Sequence, residues 1–226
     1  MRVIVVRHHD VDTAGFIADA FVARGAELAV HLFPGDGPLP ALDGVSHVVI
    51  LGAVWSVYDT ATIGGWIGDE LAWVRQADEA GIPVLGICFG AQVLAAALGG
   101  EVHDIGRNEI GWTTVESLDP ALVPEGPWLE FHHDTCVLPP GARLLARNET
   151  GAQAFAIRRN LAVQFHPEVD AAQLRRWLAG GSKADVIQAG LDPTALVTQT
   201  RAQQAAAARR ADHLVEMALH LDTVTA

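Results

Sequence analysis

The sequence is poor in cysteine and in basic residues, and it has no long hydrophobic run. Only two of its 226 residues are cysteine, too few for a disulfide framework or a four-cysteine metal site. Fifteen Lys and Arg residues stand against 27 Asp and Glu, a net charge of −12. That balance argues against nucleic acid and anionic membranes as partners, because binding phosphates needs clustered cations. No apolar run could cross a bilayer and no signal sequence is recognisable, so we predict a cytoplasmic protein.

Apolar strand-like runs alternate with helical patterns in the first half of the chain. Half of the residues are hydrophobic, enough for a sizeable core. The strand-like runs are apolar throughout instead of on every second residue, which is typical of parallel strands covered on both faces. We therefore predict an α/β fold, a doubly wound and mostly parallel sheet with helices on both faces.

The pattern changes after residue 100. Short strands and proline-rich turns over residues 101–164 predict a small antiparallel extension of the sheet. Residues from 171 onward are helical in pattern, and residues 194–221 form an amphipathic segment that packs on the sheet or, alternatively, makes a homodimer or partner contact. We assign residues 1–180 to one domain and residues 181–226 to a C-terminal helical extension packed on it.

A cysteine lies between two glycines in the stretch GICFGAQ, residues 86–92. An apolar strand precedes it and a helical pattern follows it, so Cys88 sits on a strand–turn–helix. Glycines two residues away on each side allow strand and helix to approach closely, as at a nucleophile elbow. The helix N-terminus favours the thiolate of Cys88. A buried, inert cysteine is the alternative that this motif leaves open.

A histidine that could act as a base follows a later strand, in the stretch QFHPE, residues 164–168. A histidine at the carboxyl end of a strand can meet a thiol there, accept its proton and deliver it to a leaving amine. Glu168, two residues further on, is placed to orient the imidazole ring of His166.

Together, these two motifs resemble the paired signature of class I glutamine amidotransferases, including stand-alone domains similar to that of GMP synthase. The stretch VILGAVWSVYD, residues 49–59, resembles the oxyanion loop of that family, with Ala53 and Val54 where Gly and Pro are usual. Residues 108–112 and 131–135 resemble two further family segments, with Phe131 in place of the usual Trp.

The resemblance implies a role for nine residues. It implies a catalytic triad of Cys88, His166 and Glu168, an oxyanion hole made by the amides of Ala53 and Phe89, and substrate contacts from Gly52, Gln92, His133 and Asp134. An alanine at position 53 can still donate its N–H, provided that its backbone angles suit a residue with a Cβ.

The implied activity is cleavage of the γ-amide of glutamine, or of a γ-glutamyl compound, through a γ-glutamyl thioester, with no cofactor and no metal. Because no Gly-rich phosphate loop is present, an ammonia acceptor would be a separate synthetase subunit. One alternative is a γ-glutamyl peptidase or hydrolase that needs no partner. A non-catalytic regulatory relative, suggested by Ala53, and another cysteine hydrolase of similar topology are the remaining alternatives.

Two histidine-rich triplets, residues 8–10 and 132–134, raise the question of a metal site. Adjacent side chains on an extended chain point in opposite directions, so neither pair of histidines can hold one ion by itself. We therefore predict no metal.

Overall fold

The computed structural model describes residues 1–221, which form ten strands and seven α-helices. The strands are β1 (Arg2–Arg7), β2 (Glu27–Leu32), β3 (His47–Ile50), β4 (Val84–Ile87), β5 (Glu101–Thr113), β6 (Glu116–Ser117), β7 (Trp128–Val137), β8 (Arg143–Asn148), β9 (Gly151–Ile157) and β10 (Asn160–Val163). The helices are α1 (Gly15–Ala23), α2 (Thr60–Ile63), α3 (Ile67–Glu79), α4 (Phe89–Ala97), α5 (Ala171–Trp177), α6 (Lys183–Gln188) and α7 (Pro193–Leu219), with a π-helical turn (Leu178–Ser182) between α5 and α6.

Eight strands form one sheet in the order β2-β1-β3-β4-β10-β9-β8-β6. The first five of these are parallel to one another, and β9, β8 and β6 continue the sheet in antiparallel fashion. The remaining two strands, β5 and β7, pair with each other as a separate antiparallel sheet. The predicted fold class, mostly parallel with a small antiparallel part, is confirmed.

Alternate residues of the central strands enter two different hydrophobic clusters, one on each face of the sheet. In β1, Val3 and Val5 pack in the cluster that contains Phe21 of α1. Ile4 and Val6 belong to the other cluster, which contains Trp73 of α3. Burial on both faces is why these strands are apolar throughout and not alternating.

Helix α7 begins at a well-formed cap and returns to the core. Asp192 accepts hydrogen bonds from the first-turn amides of Thr194 and Ala195, which satisfies donors that a helix start leaves open. Leu214 and Val215 join the cluster of α1, and Arg24 of α1 is paired with Asp212. The helical C-terminal part therefore packs on the α/β body. The division at residue 180 and the dimer contact stay predictions, and the last five residues, 222–226, lie outside the described residues.

No helix within residues 1–221 is both long and apolar enough to span a membrane.

Candidate active site

Cys88 occupies a strained turn between β4 and α4. Its backbone angles are φ 51° and ψ −106°, a conformation that side chains with a Cβ rarely adopt. The two flanking glycines explain how strand and helix come so close. A methyl group on Gly86 would lie 2.4 Å from the carbonyl oxygen of Gly90, and one on Gly90 would lie 2.2 Å from that of Ile50. The predicted strand–turn–helix is present, and its glycines cannot be enlarged without moving the backbone.

His166 follows β10, the strand next to β4 in the sheet, so that it reaches the same edge as Cys88. The amide of Cys88 donates to Val163 at the end of β10, and the amide of His166 donates to Leu129 of β7, each at 2.8 Å. A methyl group on Gly52 would lie 2.9 Å from Cε1 of His166 and 3.5 Å from Cβ of Cys88. Gly52 thus flanks both side chains, and the structure brings Cys88 and His166 together.

Glu168 holds the imidazole of His166 from the other side. Its Oε1 lies 2.7 Å from Nδ1 of His166, and both side chains are buried. Since an ionised carboxylate only accepts, Nδ1 carries the proton and Nε2 is left free to exchange one. Burial lowers the pKa of His166, but the charges of Glu168 and Cys88, and hydrogen bonds with both, outweigh it and raise this pKa well above its usual value. The arrangement favours the imidazolium form of His166.

The loop after β3 carries the two unusual residues, Ala53 and Val54. Both line the same cavity as Cys88, and Val54 is 72% exposed. Within residues 1–221, the non-glycine residues with positive φ are Cys88 and Arg158, so Ala53 does not need the conformational freedom of glycine. Its Cβ is therefore compatible with the backbone of the loop.

Asp134, a predicted substrate contact, is surrounded by donors of the protein itself. Its Oδ2 accepts from Ser56 Oγ at 2.6 Å and from Gln92 Nε2 at 3.1 Å, and its Oδ1 accepts from Tyr58 OH at 2.7 Å. The carboxylate is buried. Oε1 of Gln92 in turn accepts from the amide of Val57 at 3.1 Å. Asp134 and Gln92 thus join the loop after β3 to the helix behind Cys88.

His132 and His133 point to different places, as adjacent residues of a strand must. Nε2 of His133 lies 3.1 Å from Oγ of Ser56, and its side chain is partly exposed in the cavity. His132 is buried, with Nε2 at 3.1 Å from Oε2 of both Glu109 and Glu130. The sequence singled out His133, whereas the fully enclosed histidine is its neighbour.

Sequence reasoning missed Trp177, which contacts the ring of His166, and Asp12, which Trp177 contacts in turn. The ring of Trp177 stands edge to face with His166, with centroids 4.9 Å apart, and its indole N–H donates to Asp12 at 2.7 Å. Burial and the nearby charge of Glu168 raise the pKa of Asp12, against the effect of the Trp177 hydrogen bond. No local motif marks either residue, since they are 165 positions apart.

The cavity above Cys88 has a volume of about 270 Å³. The predicted residues that line it include Cys88, His166, Glu168, Gly52, Ala53, Gln92, His133 and Asp134. Phe89, whose amide was assigned to the oxyanion hole, is the first residue of α4, where a backbone N–H has no partner within the helix.

A cysteine on a strained elbow, beside a buried histidine–glutamate pair at the carboxyl edge of a parallel sheet, is an arrangement suited to nucleophilic catalysis by a thiol. The model of the family "Glutamine amidotransferase class-I" matches residues 11–177. The chain therefore belongs to the class I glutamine amidotransferases, a family of glutamine-hydrolysing enzymes.

Individual relatives agree with the family assignment. The chain is 36% identical to the GMP synthase [glutamine-hydrolyzing] of Aeropyrum pernix over 181 residues, covering 74% of this chain and 33% of that protein. It is 36% identical to one subunit of the GMP synthase of Sulfolobus acidocaldarius over 151 residues, covering 62% of this chain and 76% of that one. A glutamine amidotransferase from Thermotoga maritima, known from a crystal structure, superimposes with a TM-score of 0.87 at 27% identity, covering 97% of this chain and 98% of the other.

The similarity to full-length GMP synthases is limited to one part of those proteins. The matched segments span 25 to 33% of the length of three of them.

Proposed function

We propose that this chain hydrolyses the γ-amide of glutamine through a γ-glutamyl thioester on Cys88 and releases ammonia. The observation that supports this most is the meeting of Cys88, His166 and Glu168 at one edge of the sheet. Membership of a family of glutamine-hydrolysing enzymes supports the same activity.

In the first step, the thiolate of Cys88 attacks the γ-carbonyl carbon and forms a carbon–sulfur bond. The carbonyl oxygen becomes an oxyanion, for which we propose the backbone amides of Ala53 and Phe89 as donors. The imidazolium of His166 gives its Nε2 proton to the departing nitrogen, the carbon–nitrogen bond breaks, and ammonia leaves. Glu168 keeps the proton on Nδ1 and so fixes the ring orientation throughout.

In the second step, water replaces ammonia in the site. His166, now neutral, takes a proton from the water as it attacks the thioester. The carbon–sulfur bond breaks, glutamate leaves, and the thiolate–imidazolium pair forms again. The protons and charges balance over the cycle without any further reactant.

The test is release of ammonia and glutamate from L-glutamine by the purified chain. Cys88→Ala should abolish turnover, whereas Cys136→Ala, which removes the other buried cysteine, should retain it. Equal activity of wild type and Cys88→Ala would rule out the thioester mechanism.

Glu168→Gln tests the orienting role of the carboxylate. An amide can still accept from Nδ1 but leaves no charge to stabilise the imidazolium, so we expect kcat to fall on the order of 10² to 10⁴-fold. Asp10→Asn, which alters an exposed acid, is the matched control. Unchanged turnover in a folded Glu168→Gln variant would remove Glu168 from the triad.

For the released ammonia, we propose that the acceptor is a separate synthetase polypeptide. The similarity to the Sulfolobus acidocaldarius protein supports this, because that protein is itself one subunit of a GMP synthase. The second candidate is a γ-glutamyl hydrolase that acts without a partner. It is favoured by the wide cavity, which extends past Cys88 to Trp177 and Asp185 and leaves room for a larger leaving amine.

A substrate comparison separates these two candidates. Turnover of γ-glutamyl amides at a much higher kcat/KM than that of glutamine would favour the hydrolase. Slow turnover of glutamine alone that rises when a synthetase polypeptide from the same genome and its substrates are added would favour the amidotransferase.

A further inference from the structure

A row of polar side chains lies under the cavity, on the inward face of β7. Glu130, His132 and Asp134 alternate along the strand and are all buried. Asp134 is used to hold the loop after β3. The other two form a cluster with Glu109 of β5 that the proposed mechanism does not use. His132 connects this cluster to the cavity, because it lines the same cavity as Cys88.

The hydrogen-bond partners of His132 determine which of its two ring nitrogens are protonated. Its Nδ1 lies 2.9 Å from the backbone carbonyl oxygen of Asp134, which can only accept, so Nδ1 carries a proton. Its Nε2 lies 3.1 Å from a carboxylate oxygen of Glu109 and 3.1 Å from one of Glu130. Burial raises the pKa of Glu130, so the acceptor we rely on is Glu109, whose ionised carboxylate can only accept, and Nε2 therefore carries a proton too. A ring with both nitrogens protonated is an imidazolium.

The surroundings of Glu109 support its ionised form. It accepts from Asn148 Nδ2 at 2.6 Å, from Thr150 Oγ1 at 2.5 Å and from Gln153 Nε2 at 3.2 Å. Burial raises the pKa of Glu109, but the hydrogen bonds and the charge of His132 outweigh it and lower this pKa overall. Burial likewise lowers the pKa of His132, yet hydrogen bonds to Glu109 and Glu130, together with the charges of Glu130 and Cys88, raise it to about 10.

We propose that His132 is a buried, permanently protonated positioning residue whose positive charge stabilises the thiolate of Cys88. This inference rests on the proposed role of Cys88 as nucleophile. The imidazolium cannot be the general acid, because Nδ1 and Nε2 both face fixed acceptors of the protein. It acts by charge alone, through a low-dielectric interior that screens little.

Several other titratable groups face this pair and belong in the interpretation of any pH profile. Cys88 also faces His166, which interacts with Glu168 and Asp12. His132 faces the carboxylates of Glu109 and Glu130. Cys136, further along β7, has its pKa raised to about 12 by burial and by the charges of Cys88 and Asp134, so it stays a thiol over the range of the test.

The first arm of the test measures Cys88 directly. The rate of alkylation by iodoacetamide, followed on the Cys88 peptide by mass spectrometry between pH 5 and 9, reports the thiolate fraction whether or not glutamine is turned over. His132→Gln keeps polar atoms but not the charge. We expect its alkylation midpoint to lie about one pH unit higher than in wild type, in line with the effect of a neighbouring opposite charge. Gln153→Glu, which adds a charge beside Glu109 while keeping His132, should shift the midpoint less.

The second arm uses the unsubstituted protein, in case His132→Gln does not fold. In protein labelled with ¹⁵N-histidine, NMR should show both ring nitrogens of His132 protonated at pH 8, where an ordinary histidine is neutral. A neutral His132 at pH 8 would overturn the proposal, and so would an unchanged alkylation midpoint in folded His132→Gln.

A third outcome concerns metal. Glu109, Glu130 and His132 offer three ligand atoms within 4.8 Å of one another, and a bound ion would need Nε2 without its proton. If Zn²⁺, which is diamagnetic, removes the Nε2 proton signal when added to the purified protein at stoichiometric concentration, the cluster is a metal site and the imidazolium proposal is wrong. If the wild-type protein shows no glutaminase activity but its alkylation midpoint still rises on His132→Gln substitution, only the proposed function is contradicted.

Discussion

Replacing Asp134 by Asn distinguishes a residue that positions the active-site loop from one that binds substrate. The carboxylate has donors on both oxygens, Ser56 and Gln92 at Oδ2 and Tyr58 at Oδ1. An amide offers only one acceptor oxygen. Whichever way the Asn side chain is turned, at least one donor loses its acceptor and meets an NH₂ group instead.

The magnitude follows from the less costly orientation. If the amide oxygen takes the Oδ2 position, only the bond from Tyr58 is lost. A hydrogen bond to a charged group contributes about 1.5 to 3 kcal/mol, and the half-exposed Tyr58 places this loss near the lower value. Ser56 and Gln92 keep a neutral acceptor, so their bonds weaken without being lost. We therefore expect the free energy of unfolding to fall by about 2 kcal/mol.

The effect on catalysis should be seen in kcat. Ser56 is three residues after Ala53, so a loosened loop misplaces the proposed oxyanion donor. Complete loss of one such donor costs on the order of 10² to 10³-fold in kcat, which sets the upper limit for Asp134→Asn. Urea unfolding and ammonia release measure the two effects. Tyr58→Phe, which removes only the Oδ1 bond, is the matched control and should reproduce most of the stability loss.

One result would refute this reasoning. If Asp134→Asn leaves stability and kcat unchanged but raises KM severalfold, Asp134 contacts the substrate directly, as the family resemblance implies.

Three further predictions concern the fold and its pH dependence. Gly86→Ala should destabilise the protein by about 1 to 3 kcal/mol in thermal unfolding, because its new methyl group meets a backbone oxygen at 2.4 Å. The control, Gly68→Ala, lies at an open helical position and should not destabilise the protein. Equal effects of the two substitutions would contradict the argument that strand and helix approach closely at Gly86. Glu70→Ala leaves the ring nitrogen of the buried His8 without its hydrogen-bond partner and should cost about 1 to 3 kcal/mol in urea unfolding. The exposed Glu116→Ala should leave the midpoint unchanged, and an equally small effect at Glu70 would show that water replaces the lost partner. The pKa of His132 is raised from 6.5 to about 10, so its contribution to stability should be complete below pH 6.5 and be lost as pH rises toward 10. The free energy of unfolding should therefore fall more steeply over that range in wild type than in His132→Gln. Equal slopes in the two proteins would contradict this prediction.

Patterns within the sequence were sufficient to predict much of the architecture. Continuous apolar strands at residues 3–6 and 83–87 predicted a parallel sheet covered on both faces, because burial on both faces leaves no position for polar residues. The glycines around Cys88 predicted the elbow, since their absence of side chains is what permits the close approach. These signals are local, a few residues long, and need no knowledge of the rest of the chain.

The paired motifs also predicted which side chains meet at the candidate site. Cys88 and His166 are far apart in sequence, but parallel strands place their carboxyl ends at one edge of the sheet, and both residues follow such a strand. The short spacing of His166 and Glu168 then keeps the carboxylate within reach of the ring.

Only the tertiary structure decided which polar side chains face the cavity and which form hydrogen bonds with one another. Asp134 was predicted to bind substrate, and in the structure its carboxylate accepts from donors of residues 56, 58 and 92. The sequence likewise singled out His133, whereas its neighbour His132 is the one enclosed between two carboxylates. Apart from Glu130, which is two residues from His132, these partners lie about 20 to 80 positions apart in the sequence. Local periodicity carries no information about them, because their partners are set by how strands and loops pack after the backbone has folded.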